Sequence, residues 1–308
     1  MGNIKWDKKG LLFTPDTEKW WMKTHTAAPT VINLKDNKFR IFFCGRDIKN
    51  RSQIGFFDVT VNNEVLHIDN VCEDPILENG KLGCFDDNGV TPSCAVKYED
   101  KIYLYYIGWN PGSTTRMNIF GGLATANSFE SKFERYSMAP IIERSKINPY
   151  INTSPFVLYD KVWRMYYVAG IEWVHKDLPR YNIQYCESNN GLDWCREGKV
   201  SIDFENENEV ALARPWVIKD NDLYRMWYCK KSLDTEYELG YAESFDGITW
   251  NRKDDLAGVD AGSLGWDSEM VAYPSVFKFG DKYFMLYNGN GYGMSGIGYA
   301  VGIESPLL

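Results

Sequence analysis

The sequence predicts an all-β fold, a five-bladed β-propeller, from a repeated proline, its even spacing and the strands that follow it. Pro29, Pro92, Pro155, Pro215 and Pro274 each stand at the start of a short apolar strand (PTV, PSC, PFV, PWV, PSV) and lie 63, 63, 60 and 59 residues apart. Within each repeat an aromatic-rich strand ends at Phe43, Tyr106, Tyr167, Tyr228 or Tyr287, and a third strand is centred near Gly55, Gly122, Gln184, Gly240 or Gly298. Repeats of this length, with several strands and no helical period, are blades, because one twisted sheet leaves a face that only a neighbouring blade covers.

A fourth, outer segment beginning near an aromatic residue closes blades two, three and four: KFERYSMAPII from Lys132, DWCREGKVSI from Asp193 and TWNRKDDLAGV from Thr249. Blade one has a looser version from Val65 to Leu77, and nothing comparable follows GIGYAV in the fifth. KWDKKGLLF, Lys5 to Phe13, matches the missing piece. The N-terminal strand is therefore expected to pair with the open edge of the last blade, making residues 1–308 one domain.

Composition agrees. A chain of 308 residues folded as one unit can bury an ample core without disulfides. The seven cysteines show no zinc-type spacing and read as reduced thiols, four of them (Cys44, Cys94, Cys186, Cys229) within expected strands. No leader-like or membrane-spanning apolar run is present, so a cytoplasmic location is the default expectation. The net charge of −8, with scattered lysines and arginines, argues against a nucleic-acid track. Most of the eleven tryptophans and twenty tyrosines alternate along strands and read as packing between blades. Trp20, Trp21, Trp109, Trp173, Trp266 and Tyr292 fall in connections, where they could stack on a sugar ring.

Function in a propeller is expected where the innermost strands enter the central funnel, so the lead-in segments before the prolines carry the most weight. Asp87 and Glu269 stand five residues before their prolines, Asp86 and Glu209 six before, and Asp267 seven before. Equal register predicts similar height around the axis and a convergence of acids, which raises at least one pKa and suits acid/base work. Asp86-Asp87-Asn88-Gly89 also reads as a turn, and for Asp86 alone the turn is the preferred reading. Arg214, directly before Pro215, and Arg46, after the second strand of blade one, offer forks for a carboxylate or phosphate. His25, four before Pro29, could meet a sugar hydroxyl or phosphate. His25, His67 and His175 fall in unrelated repeat positions, which speaks against a metal-dependent enzyme.

The repeats, the funnel acids and the endings Ser244 to Trp250 and Ser188 to Trp194 resemble the propeller glycosidases and phosphorylases of glycoside hydrolase families 32, 43, 62, 68, 117 and 130. GRDIKNRSQIG, FDDNGVTPS, YYIGWN, ARPWV, WDSEMVAYPSV and LYNGNGYG further resemble glycosidase-like proteins that accompany bacterial surface-polysaccharide genes, over almost the whole chain. In families 32 and 43 an acid usually stands immediately before the blade-one proline and a glutamate two before a later one. Here those places hold Ala28 and Ala213. The resemblance implies a carbohydrate-active protein that cleaves or transfers a glycosidic bond. Asp87 and Glu269 are then the candidate catalytic pair, facing each other across the pore. His25, Arg46, Asp86, Trp109, Glu209, Arg214, Asp267 and Tyr292 are the candidate sugar contacts. No cofactor is implied, although related propellers leave room for a structural calcium or sodium ion in the pore. A phosphorylase or transferase, or a sugar-binding propeller without catalysis, remains as the alternative.

Overall fold

The computed structural model describes residues 3–305. Its strands pair as antiparallel meanders of four. The first comprises β2 (Thr26–Lys35), β3 (Lys38–Arg46), β4 (Ser52–Asn62) and β5 (Val65–Val71). The second runs through β6 (Gly89–Tyr98), β7 (Lys101–Pro111), β8 (Met117–Ala126) and β9 (Glu134–Arg135). The third holds β10 (Asn152–Asp160), β11 (Val162–His175), β12 (Leu178–Ser188) and β13 (Cys195–Ile202), and the fourth β14 (Glu209–Asp220), β15 (Leu223–Ser232), β16 (Glu238–Ser244) and β17 (Asn251–Arg252). The last meander joins β18 (Ala272–Phe279), β19 (Lys282–Asn288) and β20 (Ile297–Glu304) to β1 (Ile4–Phe13).

The N-terminal strand closes this last sheet as its sequence pattern predicts. β1 lies antiparallel to β20 from Ile4 opposite Glu304 to Phe13 opposite Ile297. First strands touch in cyclic order, β2 to β6, β10, β14, β18 and back to β2, so the meanders form a ring around the innermost strands. Interleaved aromatics fill the space between sheets: Phe39 packs on Phe277, Phe156 on Trp216, Tyr166 on Trp250 and Trp6 on Trp227. Trp21 belongs to this packing and not to a binding surface. The cysteines are free, and Cys44, Cys72, Cys94, Cys186 and Cys229 are buried.

Two details differ from the sequence expectation. The repeated prolines lie inside the first strands instead of opening them: Pro29, Pro92 and Pro155 are each the fourth residue of their strand. A bulge at each proline permits this, because one extra residue is inserted there and the ladder needs no donor from proline. The outer segments of the second and fourth meanders pair over only Glu134–Arg135 and Asn251–Arg252. The latter turns at once into a short 3-10 turn, Asp254–Leu256.

Removing residues 1–13 should leave β20 as an unpaired edge, lowering the thermal midpoint by several degrees or causing aggregation. A melting curve unchanged by the truncation would contradict this closure.

Candidate functional site

The bulges build the site. In an inner strand the residue before the proline is displaced from the pleat, and four of these residues adopt left-handed φ values: Ala28 at 57°, Ser154 at 51°, Arg214 at 50° and Tyr273 at 57°. Non-glycine residues rarely take this conformation, at a cost of about 1–2 kcal/mol each. The displaced residues Ala28, Ser154, Arg214 and Tyr273, together with Thr91 from the second meander, all line one cavity of about 550 Å³.

Arg214 dominates the floor. It is buried, and its guanidinium reaches from the fourth meander to the first two. Nη1 donates to the carbonyls of Pro92 (2.9 Å) and Ser93 (3.1 Å), and Nη2 to Pro29 O (3.3 Å) and Thr30 Oγ1 (3.4 Å). These are carbonyl and hydroxyl acceptors, no carboxylate pairs with it among the described residues, and burial lowers its pKa. Among the described residues its Nε has no partner, nor do the buried hydroxyls of Thr153 and Ser154, which line the same cavity.

The wall is aromatic and basic. Trp109 is held by a 3.0 Å bond from Nε1 to Ser52 Oγ. Arg46 donates to Asn50 Oδ1 at 3.0 Å. Tyr292, at φ 59° in a glycine-rich turn, donates to Glu236 Oε2 at 3.0 Å, and the same carboxylate takes Lys231 Nζ at 2.8 Å. Tyr181 and Tyr237 share a hydroxyl–hydroxyl bond. The long β11–β12 hairpin brings Asp177, Leu178 and Pro179 to the cavity, and Arg116 between β7 and β8 is fastened to its tip by a 2.9 Å bond from its amide to Lys176 O. Of the expected sugar contacts, Arg46, Trp109, Arg214 and Tyr292 therefore come together. Arg116, Asp177, Tyr181, Lys231, Tyr237 and Tyr273 join them without having been singled out from sequence.

The acids go elsewhere. Asp86 and Glu209 stand at one register, and with Asp267 they serve locks inside their own meanders. Asp86 is fully buried and accepts from Tyr106 Oη (3.0 Å) and Arg135 Nε (2.8 Å). Asp267 accepts from Tyr287 Oη (3.1 Å) and pairs with Lys8 at 2.6 Å. In the third meander Tyr167 donates to Asn148 Oδ1 (3.0 Å) and Gln184 Oε1 (3.1 Å). In the fourth, Tyr228 donates to Asp254, while Arg252 binds Glu209 at 2.7 and 2.8 Å and Asp254 at 2.6 Å.

The tyrosines of these locks are the residues that end the aromatic-rich segments, and the cations all sit on fourth strands. Glycine makes the crossing possible: a Cβ on Gly122 would stand 2.3 Å from the Tyr106 ring, and one on Gly240 2.3 Å from Tyr228. The first meander uses Phe43 stacked on Trp21, which fills the space over Gly55. Asp86, Glu209 and Asp267 thus hold lead-in segments to their sheets and do not line the cavity, contrary to the expectation that they meet the sugar.

Asp87 and Glu269 do not line the cavity either. Asp87 Oδ2 accepts from Gly83 N at 2.8 Å and closes its own turn, while Glu269 is exposed, its amide donating to Asn290 Oδ1 at 2.8 Å. His25 is buried against Thr24 outside the lining, and burial, reinforced by the positive Arg46, lowers it to about 4, so it is neutral at pH 7. Glu205, Glu209 and Asp254 present oxygens within 4.8 Å of one another, the spacing of a cation site. Arg252 already binds all three carboxylates, the third being Glu205 at 3.3 Å.

This fold is that of the propeller glycoside hydrolases. A solved glycoside hydrolase superposes with a TM-score of 0.74 at 18% identity, covering 99% of this chain and 93% of that one. A thermostable family-43 glycoside hydrolase gives 0.67 at 17% identity, over 91% and 88% of the two chains. A structure from work on the GH130 family of mannoside phosphorylases, which contains glycoside hydrolases that target β-1,2 mannosidic linkages in Candida mannan, gives 0.71 at 14%, over 99% and 97%. No family model matches the chain. The sequence is 36% identical over 303 residues to the uncharacterized protein Rv1502 of Mycobacterium tuberculosis H37Rv, covering 97% of this chain and 99% of the relative. It matches protein MT1551 of strain CDC 1551 to the same extent, and the chain belongs to the family of these two proteins.

The lock and the turn make opposite predictions for neighbouring aspartates. Asp86→Asn should cost about 2 kcal/mol in urea unfolding, because Arg135 and Tyr106 lose a buried charged acceptor. Asp87→Asn should stay within about 0.5 kcal/mol of wild type. Equal effects, or the reverse order, would contradict the assignment.

Proposed function

We propose that the funnel binds a carbohydrate, and that the protein acts by holding this ligand and not by hydrolysing it between two carboxylates. The observation that carries the reading is the identity of the displaced ring: Ala28, Thr91, Ser154, Arg214 and Tyr273 contribute no carboxylate to the floor. Glycoside hydrolysis needs one acid to protonate the leaving oxygen and a second to activate water or attack the anomeric carbon, with both flanking the bond. Asp177 is the one carboxylate among the lining residues, and it stands exposed on a hairpin tip, 3.3 Å from Lys176.

What the cavity does offer suits sugar recognition. Trp109 and the tyrosines 181, 237, 273 and 292 provide apolar faces for the C–H side of a ring, and the arginine forks provide donors for its oxygens. The likeness to sugar-active propellers supports the same ligand class. All the meanders contribute to this one cavity, so the chain works as a single unit in this reading.

Calorimetric titration with a panel of mono- and oligosaccharides, run beside a turnover assay on the same panel, tests the reading. Saturable binding without turnover is expected. Trp109→Ala should weaken binding by about tenfold, the effect of losing one stacking face. Asp87→Asn and Glu269→Gln should leave affinity unchanged. Turnover that either acid substitution abolishes would overturn the reading in favour of a glycosidase.

A further inference from the structure

We infer that the ligand of the funnel is an anionic carbohydrate, a sugar bearing a phosphate or a carboxylate, held by Arg46, Arg116 and Arg214. This deepens the carbohydrate reading above and rests on it. The argument is one of charge balance. The protein carries eight more negative than positive charges, so a basic residue has acids to choose from. The buried Arg40 and Arg225 and the half-buried Arg252 take them: Arg40 is paired with Asp58, Arg225 with Glu304 and Arg252 with Glu209, at 2.6–2.8 Å. Around the cavity this matching stops.

Arg214 has only carbonyl and hydroxyl acceptors, and Arg46 has the neutral Asn50 amide. Arg116 makes no side-chain hydrogen bond or ion pair among the described residues, while Lys231 is answered by Glu236 and Asp177 lies beside Lys176. Three guanidinium charges from three different meanders thus border one concave space without a protein counter-charge. For Arg214, the buried one of the three, a missing counter-ion is costly, and a cleft with low-dielectric walls concentrates the field of all three on whatever enters.

The cavity lining adds a second observation. Among the described residues, the Nε atoms of Arg46 and Arg214 and the hydroxyls of Thr153 and Ser154 are buried without partners, all on residues that line the cavity. Guanidinium forks match the planar oxygens of carboxylates and the tetrahedral oxygens of phosphates. The aromatic wall beside them gives the sugar ring its surface, so charge and ring are recognised together.

Calorimetric titration of the full chain with glucose 1-phosphate, glucuronate and galacturonate, against neutral glucose and galactose and against inorganic phosphate, tests this. The charged sugars should bind about tenfold or more tighter than their neutral parents, and the advantage should shrink as salt is raised. Arg46→Gln and Arg116→Gln should each reduce it. Arg116 is exposed, so its replacement tests recognition without risk to the fold, and thermal melts check both variants. The phosphate and uronate arms show which anion is preferred. Neutral sugars binding as tightly as charged ones would overturn the anionic inference and leave the carbohydrate reading standing. Inorganic phosphate binding while no sugar binds would overturn the carbohydrate reading and leave the anion site. No binding by any member of the panel would overturn both.

Discussion

One extra residue in each innermost strand decides where the chemistry of this protein lies. The bulge at each proline turns the preceding side chain out of the pleat and into the common cavity, and in four strands it does so through a left-handed backbone. Such backbones persist only where the surroundings hold them. Here the aromatic residue of the second strand stands opposite the bulge, as Tyr287 does where Ala272 pairs with Asn288 and Ser275 with Leu286. The same tyrosine donates to Asp267, the acid of its lead-in segment, and in the second meander Tyr106 crosses a third-strand glycine to reach Asp86. Bulge, tyrosine, glycine and acid are thus one device, repeated with variations around the ring.

This device separates two uses of charge. The acids and cations of the locks neutralise each other inside their own sheets, as Asp86 does with Arg135 and Glu209 with Arg252. For Glu209, burial opposes ionisation, but the bonds from Arg252 outweigh it and the pKa falls below its ordinary value. Its contribution to stability is therefore present above the unfolded carboxyl range and is lost as pH falls through the lowered folded value. In the funnel Arg46, Arg116 and Arg214 are left without a carboxylate partner among the described residues. A carboxylate in a lock is committed to the fold, and an arginine without one is available to a ligand.

Much of this was legible in the sequence. The proline spacing and the aromatic strand ends located the meanders, and KWDKKGLLF located the strand that closes the last sheet. Asp86 and Glu209 do stand at one register, six residues before their prolines, but register alone does not say whether an acid faces the axis or a partner inside its own sheet. The informative position was one residue before each proline, where Ala28, Thr91, Ser154, Arg214 and Tyr273 could be read off directly once the bulge is known. Arg116 and Asp177 were hidden because they belong to hairpin tips that fold over the cavity from neighbouring meanders, a tertiary placement no local pattern encodes.

The most direct test is a crystal structure of the protein soaked with the tightest-binding charged sugar. The ring should lie against Trp109 and Tyr292, with the anionic group within hydrogen-bond distance of Arg46, Arg116 or Arg214. A ligand seated instead between Asp87 and Glu269, with those carboxyls about 5–10 Å apart across its glycosidic oxygen, would contradict the account and restore acid-pair catalysis.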